Sequence, residues 1–166
     1  MRHVQLDAMV YGERLADVFE RIVQWERYAE LAPHVQSTTV HEGRPGRTGS
    51  SSWELHFRSG LLRWTEAERF VPERGEVHFE QTDGDFDTFS GRWLLTAQGD
   101  DVAVSFGCDF DFGITSLEGI LDPIAERVIK ETVAWAVTGQ FARVRLAGEP
   151  DPGAPVISAA GLPATA

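Results

Sequence analysis

Along most of the chain, hydrophobic and polar residues follow either the period of a strand or that of a helix. Residues 3–11 alternate loosely and predict a first strand. Residues 13–23 then carry apolar side chains at helical spacing. A second short helix is expected over residues 24–31, because the residue before Pro33 avoids the α-helical region. The pattern therefore predicts one strand followed by two short helices.

Between residues 35 and 113 the pattern changes to short alternating segments, which are separated by turn-forming stretches such as 43–49 and 72–75. The clearest alternation is over residues 102–112, where valine, phenylalanine and cysteine occupy every second position. About six consecutive strands are expected here. Strands that are joined by short turns are typical of an antiparallel sheet with one buried face.

Residues 114–147 predict a long C-terminal helix with an apolar stripe along its length. The stripe consists of Leu117, Ile120, Leu121, Ile124, Val128, Val133 and Trp135. A curved antiparallel sheet of about seven strands would wrap around this helix and enclose a space, in one α+β domain over residues 1–147. Residues 148–166 are rich in proline, alanine and glycine and predict a disordered tail.

The chain has 166 residues, of which 42% are hydrophobic and 25% are charged, a composition typical of one globular domain. Its formal net charge of −11 argues against binding to nucleic acids and to anionic membranes, because both depend on clustered Lys and Arg. Cys108 is the only cysteine and the five histidines are scattered, so neither a disulfide framework nor a metal site is expected. Without a signal-peptide pattern or a span of ~18 apolar residues, the protein is expected in the cytoplasm.

Several short motifs follow one another in a characteristic order. They are Arg27-Tyr28-Ala29-Glu30-Leu31-Ala32-Pro33 after the first helix, Arg63-Trp64-Thr65 in a central strand, Gln81 at the end of the next strand, and Ser90-Gly91-Arg92-Trp93 at the start of another. Together with the C-terminal helix, this order resembles the START-like (helix-grip, SRPBCC) superfamily over residues 2–145, and in particular its polyketide cyclase/aromatase branch. The resemblance implies a helix-grip fold with a cavity between sheet and helix, and chemistry that needs no cofactor.

Glu66 and Glu68 are the most informative residues for chemistry. Because they are two residues apart in a predicted strand, they point to the same side, which also carries Trp64 and Phe70. If this side faces the cavity, burial and mutual repulsion raise the pKa of at least one carboxyl toward neutrality. Such a pair could act as base and acid, removing a proton next to carbonyl groups and protonating a leaving hydroxyl. Alternatively, a bulge reverses the alternation at Trp64 and both glutamates lie in solvent.

Tyr28 is the third candidate catalytic residue, since the resemblance places a cavity-lining tyrosine near the short helices. Its phenol could donate a hydrogen bond to a substrate carbonyl, or the side chain could simply cap the core. The candidate substrate-binding residues, mostly aromatic and suited to a flat ligand, are Trp53, Phe57, Trp64, Phe79, Gln81, Phe89, Trp93, Phe106 and Phe110. The aromatic side chains could equally form an ordinary core, and Gln81 could serve only to close its strand.

One segment departs from the family pattern. Polyketide cyclases of this type follow the Trp-Thr pair with a Ser-Arg-Arg run, whose inward arginine and serine contact the substrate. This chain has Glu66-Ala67-Glu68 there, and Arg69 follows one place later. The usual cationic anchor is therefore missing or displaced, which argues against a polyanionic substrate.

Two functions are compatible with these observations. The first is a cofactor-independent polyketide cyclase/aromatase, a lyase of antibiotic biosynthesis that guides regiospecific aldol cyclisation and dehydration of a poly-carbonyl substrate. The alternative is a non-catalytic binding, transport or resistance protein for a hydrophobic quinone, lipid or natural product. The substrate would be free or carried by an acyl carrier protein, although docking of an acidic carrier requires a basic rim from Arg44, Arg47 and Arg74. Monomer and homodimer both stay open.

Overall fold

Eight antiparallel strands form one curved sheet in the computed structural model, which describes residues 1–148. The strands are β1 (Arg2–Val10), β2 (Val35–Glu42), β3 (Thr48–Phe57), β4 (Gly60–Val71), β5 (Glu76–Gly84), β6 (Thr88–Gln98), β7 (Asp101–Asp111) and β8 (Val144–Leu146). Their order across the sheet is β2-β3-β4-β5-β6-β7-β1-β8. Within these residues the α-helices are α1 (Leu15–Ile22), α2 (Tyr28–Leu31) and α3 (Glu118–Thr138). From position 149 onward the predicted tail lies outside the described residues.

The strands follow the predicted alternation of apolar and polar residues. In β7, every second side chain from Val102 to Phe110 is buried, and the residues between them are exposed or half-buried. The buried side chains of β4 likewise alternate and are Leu62, Trp64, Glu66, Glu68 and Phe70. The curved sheet, the two short helices after β1 and the long C-terminal helix confirm the expected helix-grip fold.

The C-terminal helix is shorter than predicted. A 3-10 turn at Thr115–Leu117 leads into α3, which ends at Thr138, whereas the hydrophobic pattern predicted a helix over residues 114–147. The chain after α3 instead forms β8, which pairs with β1, so the sheet has eight strands rather than about seven. Periodicity could not separate the two structures, because the three residues of β8 are all half-buried and do not alternate.

The buried apolar face of α3 also begins later than predicted. Ile120 is 54% exposed, and Leu117 lies at the surface as well. The apolar buried residues of α3 are Ala125, Val128, Ile129, Val133, Ala136 and Val137. Alanine at two of these positions allows the helix to lie close to the sheet, mainly against β1. No helix within residues 1–148 is long and apolar enough to cross a lipid bilayer.

One glycine shapes the interior of the sheet. A Cβ atom on Gly91 of β6 would lie 2.6 Å from the ring of Phe79 and 2.3 Å from the carbonyl oxygen of Gly107. Only glycine fits there, and the Phe79 ring therefore packs across β6. In this position Phe79 stacks on Phe106 with ring centroids 5.8 Å apart, beneath α3.

Candidate active site

The site is built on a pair of tryptophans that face each other across β3 and β4. Trp53 and Trp64 are partners in the strand register, and their rings stack with centroids 5.8 Å apart and an angle of 2° between the planes. In the same antiparallel register, Ser51 is opposite Glu66 and Gly49 is opposite Glu68. The two strands therefore bring a serine and both glutamates together beside the indole rings.

Both glutamates lie on the buried face of β4, so the alternative in which they are solvated is wrong. A bulge does occur nearby, but it is in β5: Thr65 pairs with Asp83 and Glu66 pairs with Gln81, which leaves Thr82 as the extra residue. The pairing between β3 and β4 is unbroken from Thr48 to Phe57. Because the extra residue is in the neighbouring strand, β4 keeps its alternation.

Burial affects the Glu66 carboxyl more strongly than that of Glu68. The Glu66 side chain is 5% exposed, and its Oε1 accepts a hydrogen bond from the indole N–H of Trp64 at 2.8 Å. Burial, followed by the charge of Glu68, raises the pKa of Glu66 well above the usual value for a carboxyl. The hydrogen bond from Trp64 stabilises the charged form but opposes these effects only in part. The surroundings of Glu66 therefore favour its neutral form.

Glu68 receives more hydrogen bonds that favour its charged form than Glu66 does. It is 3% exposed, and its Oε2 accepts a hydrogen bond from the Ser51 hydroxyl at 2.8 Å, while Ser51 accepts one from the Trp53 indole at 2.9 Å. Burial raises the pKa of Glu68, but hydrogen bonding from the Glu66 carboxyl, from Ser51 and from Trp25 lowers it. Because each carboxyl affects the pKa of the other, the two titrate as a unit.

A third tryptophan lies beside the two carboxyls. Trp25, in the 3-10 helix between α1 and α2, meets Trp53 edge to face with ring centroids 6.0 Å apart. Its indole lowers the pKa of Glu68, although the Trp25 N–H makes no well-formed hydrogen bond within residues 1–148. Oε1 of Glu68 likewise makes no well-formed hydrogen bond within residues 1–148. A buried donor and a buried acceptor thus lie near each other without direct partners.

These groups adjoin a small interior cavity of about 50 Å³ between the sheet and α3. The residues that line it are Trp25, Tyr28, Trp53, Leu55, Trp64, Glu66, Phe79, Phe89, Trp93, Phe106, Ile129, Thr132 and Val133. Glu66 is the carboxyl in this lining, and Glu68 stands behind it. The Thr132 hydroxyl donates to the carbonyl oxygen of Val128 at 2.7 Å. Ligand sites commonly occupy ~300–1,000 Å³, so this form of the cavity takes only a small group.

Six of the nine predicted substrate-binding residues line the cavity: Trp53, Trp64, Phe79, Phe89, Trp93 and Phe106. The other three do not. Phe57 packs on Phe112 with ring centroids 6.0 Å apart, and Phe110 is buried against Phe86 at 5.6 Å. Gln81 donates to the carbonyl oxygen of Phe86 at 2.9 Å and accepts from the Phe86 amide at 3.2 Å. Gln81 therefore closes the turn between β5 and β6, which agrees with the alternative that it serves only to close its strand.

Tyr28 lines the cavity with its ring, but its hydroxyl proton is used elsewhere. The phenol donates to the carbonyl oxygen of Ile22, the last residue of α1, at 2.7 Å. Burial and the nearby Glu66 raise the pKa of Tyr28 well above its usual value. The expected hydrogen bond to a substrate carbonyl is therefore not supported, because the single phenolic proton caps α1.

Residues that the sequence did not indicate complete the site. Trp25 begins a 3-10 helix, Trp25–Arg27, whose period differs from that of the α-helix expected over residues 24–31, so the expected period does not mark which side chains point inward. Ile129, Thr132 and Val133 come from α3, and only the packing of the helix shows that they face the cavity. Ser51 did carry a signal: it shares the parity of Trp53 and Leu55 in β3, so a polar residue was expected on the buried face.

A wider depression of about 730 Å³ lies on the opposite, solvent-facing side of the sheet. Several of its polar side chains interact with one another, as in the contacts of His3 with Asp109 at 2.9 Å and of Gln5 with Ser105 at 2.9 Å. Because these groups are solvated and paired, we place the candidate site in the interior cavity, where the carboxyl pair is shielded from water.

Solved structures share this fold at low sequence identity. TTHA0849 from Thermus thermophilus is 22% identical, with a TM-score of 0.72 over 83% of this chain and 93% of that chain. The Zhui aromatase/cyclase from Streptomyces sp. R1128 is 16% identical, with a TM-score of 0.70 over 83% and 92%. A START superfamily protein from Mycobacterium smegmatis is 15% identical, with a TM-score of 0.69 over 84% and 96%. At these identities the likeness shows the fold alone.

Sequence comparison identifies the family. No curated protein matches the chain significantly. The family described as polyketide cyclase / dehydrase and lipid transport matches residues 14–136, which is well over half of the 166 residues. The matched segment runs from the start of α1 almost to the end of α3 and includes both glutamates. The chain therefore belongs to the polyketide cyclase/dehydrase and lipid transport family.

Proposed function

We propose that this protein is a cofactor-independent acid–base enzyme that guides aldol cyclisation and dehydration of an uncharged, carbonyl-bearing substrate of the polyketide type. The observation that carries the proposal is the carboxyl pair of Glu66 and Glu68, which is buried beside an apolar cavity with raised pKa values; in the proposed resting state the two carboxyls share one proton. Two buried carboxyls with separated protonation states are the arrangement that general acid–base chemistry at neutral pH requires.

In this proposal Glu66 acts on the substrate, because it adjoins the cavity, and Glu68, which lies behind it, exchanges protons with Glu66. Glu66 passes its proton to Glu68 and, as a carboxylate, removes a proton from a carbon next to a carbonyl group. The electron pair of that C–H bond forms an enolate, which attacks a second carbonyl carbon and forms the new C–C bond. Glu66 then gives the abstracted proton to the resulting alkoxide, and Glu68 returns its proton to Glu66.

Dehydration uses the same two groups. Glu66 again passes its proton to Glu68 and, as a carboxylate, removes the next α-proton to form an enolate. The enolate electrons then form a C=C bond and the C–O bond breaks, while Glu66 gives the abstracted proton to the leaving hydroxyl and Glu68 returns its proton to Glu66. Water is released, and the pair again holds one proton. Each proton that leaves the substrate carbon returns to a substrate oxygen, so the cycle needs no oxidant, reductant or bound metal.

The cavity limits which part of a substrate takes part. Within the described part of the chain, no lysine or arginine lines the cavity, which disfavours a charged ligand. A volume of about 50 Å³ accommodates one reacting end rather than a polycyclic molecule, unless the aromatic side chains repack. We therefore propose that the reacting carbonyl segment occupies the cavity beside Glu66, against the aromatic rings that line it.

We propose a free substrate rather than one presented by an acyl carrier protein. Two of the three arginines of the expected basic rim are neutralised by ion pairs. Arg44 lies 2.7 Å from a carboxylate oxygen of Glu20, and Arg47 lies 2.9 Å from one of Glu73. An acidic carrier would therefore meet little net positive charge there.

The first test is a product profile. Linear poly-β-ketone chains are generated by a minimal synthase, with and without this protein, and the products are separated by chromatography and mass. We expect a cyclised or dehydrated product that forms only with the wild-type protein and is lost with Glu66→Gln/Glu68→Gln. Glu80→Gln is the matched control, because Glu80 is exposed on the neighbouring strand β5. If the product profile is unchanged for substrates of several chain lengths, the proposed enzyme activity is rejected.

The second candidate is a non-catalytic carrier of a small uncharged hydrophobic molecule. The specific observation in its favour is that Tyr28 donates its hydroxyl proton to Ile22, which leaves no phenolic donor to stabilise an oxyanion. This candidate predicts that Glu66→Gln/Glu68→Gln retains ligand binding and that no new product forms with the wild-type protein. Calorimetric titration with an uncharged aromatic ketone, beside the product profile, separates the two functions.

A further inference from the structure

Two buried polar atoms beside the carboxyl pair are not satisfied by the protein. The indole Nε1 of Trp25 and Oε1 of Glu68 have no hydrogen-bond partner among residues 1–148, and each of the two residues is only 3% exposed. Buried polar atoms are satisfied in most native proteins, because an unpaired one loses its hydration without compensation. One atom is a donor and the other an acceptor.

Both side chains are held in place by neighbouring groups. The Trp25 ring contacts Tyr28 and Trp53 edge to face, with centroids 5.5 Å and 6.0 Å away. Glu68 is fixed through its other oxygen, which accepts the hydrogen bond from Ser51 at 2.8 Å. A Cβ atom on Gly49 would lie 2.9 Å from Oε1 of Glu68, so the bare backbone there leaves this oxygen its space. Neither group therefore turns easily toward another partner.

A donor next to an acceptor selects its ligand by chemistry. A carbonyl oxygen would satisfy the indole N–H alone, and an ammonium group would satisfy the carboxylate oxygen alone. A hydroxyl group or a water molecule accepts one hydrogen bond and donates another, so it satisfies both. Trp25 also belongs to the cavity lining, which connects this position with the space next to Glu66.

We propose that Trp25 Nε1 and Glu68 Oε1 form a hydroxyl-binding subsite at the inner end of the cavity. Its occupant is either the hydroxyl group of a ligand or a water molecule. The subsite itself follows from the two unsatisfied atoms. Its part in the reaction rests on the proposed function: it would hold the hydroxyl that leaves during dehydration, or the water that this step releases, within reach of the carboxyl pair.

Indole NMR signals test the subsite without any activity measurement. The chain has five tryptophans, and Trp25→Phe removes, and so assigns, one of five indole N–H signals. If this variant does not fold, the contact with the Tyr28 ring assigns the signal in the wild-type protein. We expect through-space transfer from water to the Trp25 indole proton. The signals of Trp53 and Trp64 are internal controls without such transfer, because these indoles donate to Ser51 and Glu66.

Addition of 2-propanol separates the two occupants. Transfer from its carbon-bound protons to the Trp25 indole proton identifies a ligand hydroxyl as the occupant, and transfer from water alone identifies a water molecule. Both results support the subsite. If the Trp25 signal receives transfer from neither, and thus behaves like those of Trp53 and Trp64, the proposal is overturned, whether or not the protein is an enzyme.

A separate measurement tests the proposed role of the subsite in dehydration. In the product assay, Trp25→Phe should raise the ratio of hydroxylated to dehydrated product about tenfold, the effect of losing one hydrogen bond in the transition state. Trp135→Phe removes an indole that contacts His34 outside the cavity lining, so it should leave this ratio near the wild-type value. An equal rise in both variants would reject the role in dehydration.

Discussion

Trp53 and Trp64 lie parallel across β3 and β4, with ring centroids 5.8 Å apart, and their indole N–H groups serve the same carboxyl pair. Trp64 donates directly to Glu66, whereas Trp53 reaches Glu68 through the hydroxyl of Ser51. The stacking fixes both rings, so the two donors are oriented before any ligand arrives. Preorganised donors of this kind stabilise charge without reorganisation during a reaction.

Glu66→Gln should abolish most activity without unfolding the protein. The amide keeps the shape of the side chain and still accepts from Trp64, but it supplies no acidic proton. We expect turnover to fall by about 10²–10⁴-fold. The free energy of unfolding should change by less than about 1.5 kcal/mol, because burial favours the neutral form of Glu66 in the folded protein. Turnover and urea unfolding measure the two effects, and an equal loss of turnover in Glu80→Gln would contradict the assignment.

Stability should depend on pH through the carboxyl pair. Burial raises the pKa of both glutamates, so the folded protein keeps a proton that the unfolded chain releases. The resulting stabilisation is fully present below the ordinary carboxyl pKa and is lost as pH rises through the raised pKa of Glu66. Relative to Glu66→Gln/Glu68→Gln, wild-type stability should fall by up to about 1.4 kcal/mol per pH unit per proton. Urea unfolding of both proteins across this pH range measures the difference. If the free energies of unfolding of the two proteins change in parallel with pH, the shared proton is refuted.

Ser51→Ala should both destabilise the protein and move its pH profile. The substitution leaves the Trp53 indole and one Glu68 oxygen unpaired in the interior, at a cost of about 1–3 kcal/mol for each group. Loss of the Ser51 donor also raises the pKa of Glu68, so the pH profile of turnover should shift to higher pH. Ser52→Ala is the control, since the Ser52 hydroxyl pairs with Thr65 on the other face of β3. A shift of the same size in Ser52→Ala would show that the effect is not specific.

Tyr28→Phe tests the role of the phenol. We expect the free energy of unfolding to drop by about 1 kcal/mol, because the hydrogen bond to Ile22 is lost and its carbonyl oxygen is left unpaired. The acid and base limbs of the pH–rate profile should keep their positions. Thermal unfolding and turnover are measured together. A loss of turnover beyond about a hundredfold with unchanged stability would restore the phenol as a substrate donor.

The sequence predicted most of the sheet because its strands alternate clearly. In β4, the spacing of Trp64, Glu66 and Glu68 was enough to place all three on one face, and the burial of the glutamates bears this out. The bulge at Thr82 could not be located, since it changes the pairing of β5 without disturbing the hydrophobic pattern of β4.

The site was less predictable than the fold. Trp25 begins a 3-10 helix, so the expected α-helical period does not indicate its direction, and the proton of Tyr28 goes to a backbone carbonyl that sequence does not reveal. The size of the cavity depends on how the aromatic rings pack on α3, and this is a property of the assembled core. At the C-terminus, the half-buried residues of β8 gave a helical signal that pairing with β1 overrides.

The two ends of the sheet bear on how copies of this protein meet. Within the described residues, β8 covers the β1 side with only three residues, and β2 at the other end carries two breaks in its register with β3. Short or irregular outer strands offer a poor template for a strand from another molecule, and natural proteins use them against aggregation. Growth of one continuous sheet through several molecules is thus disfavoured at both ends. Any homodimer should form through side chains on another surface rather than by adding strands.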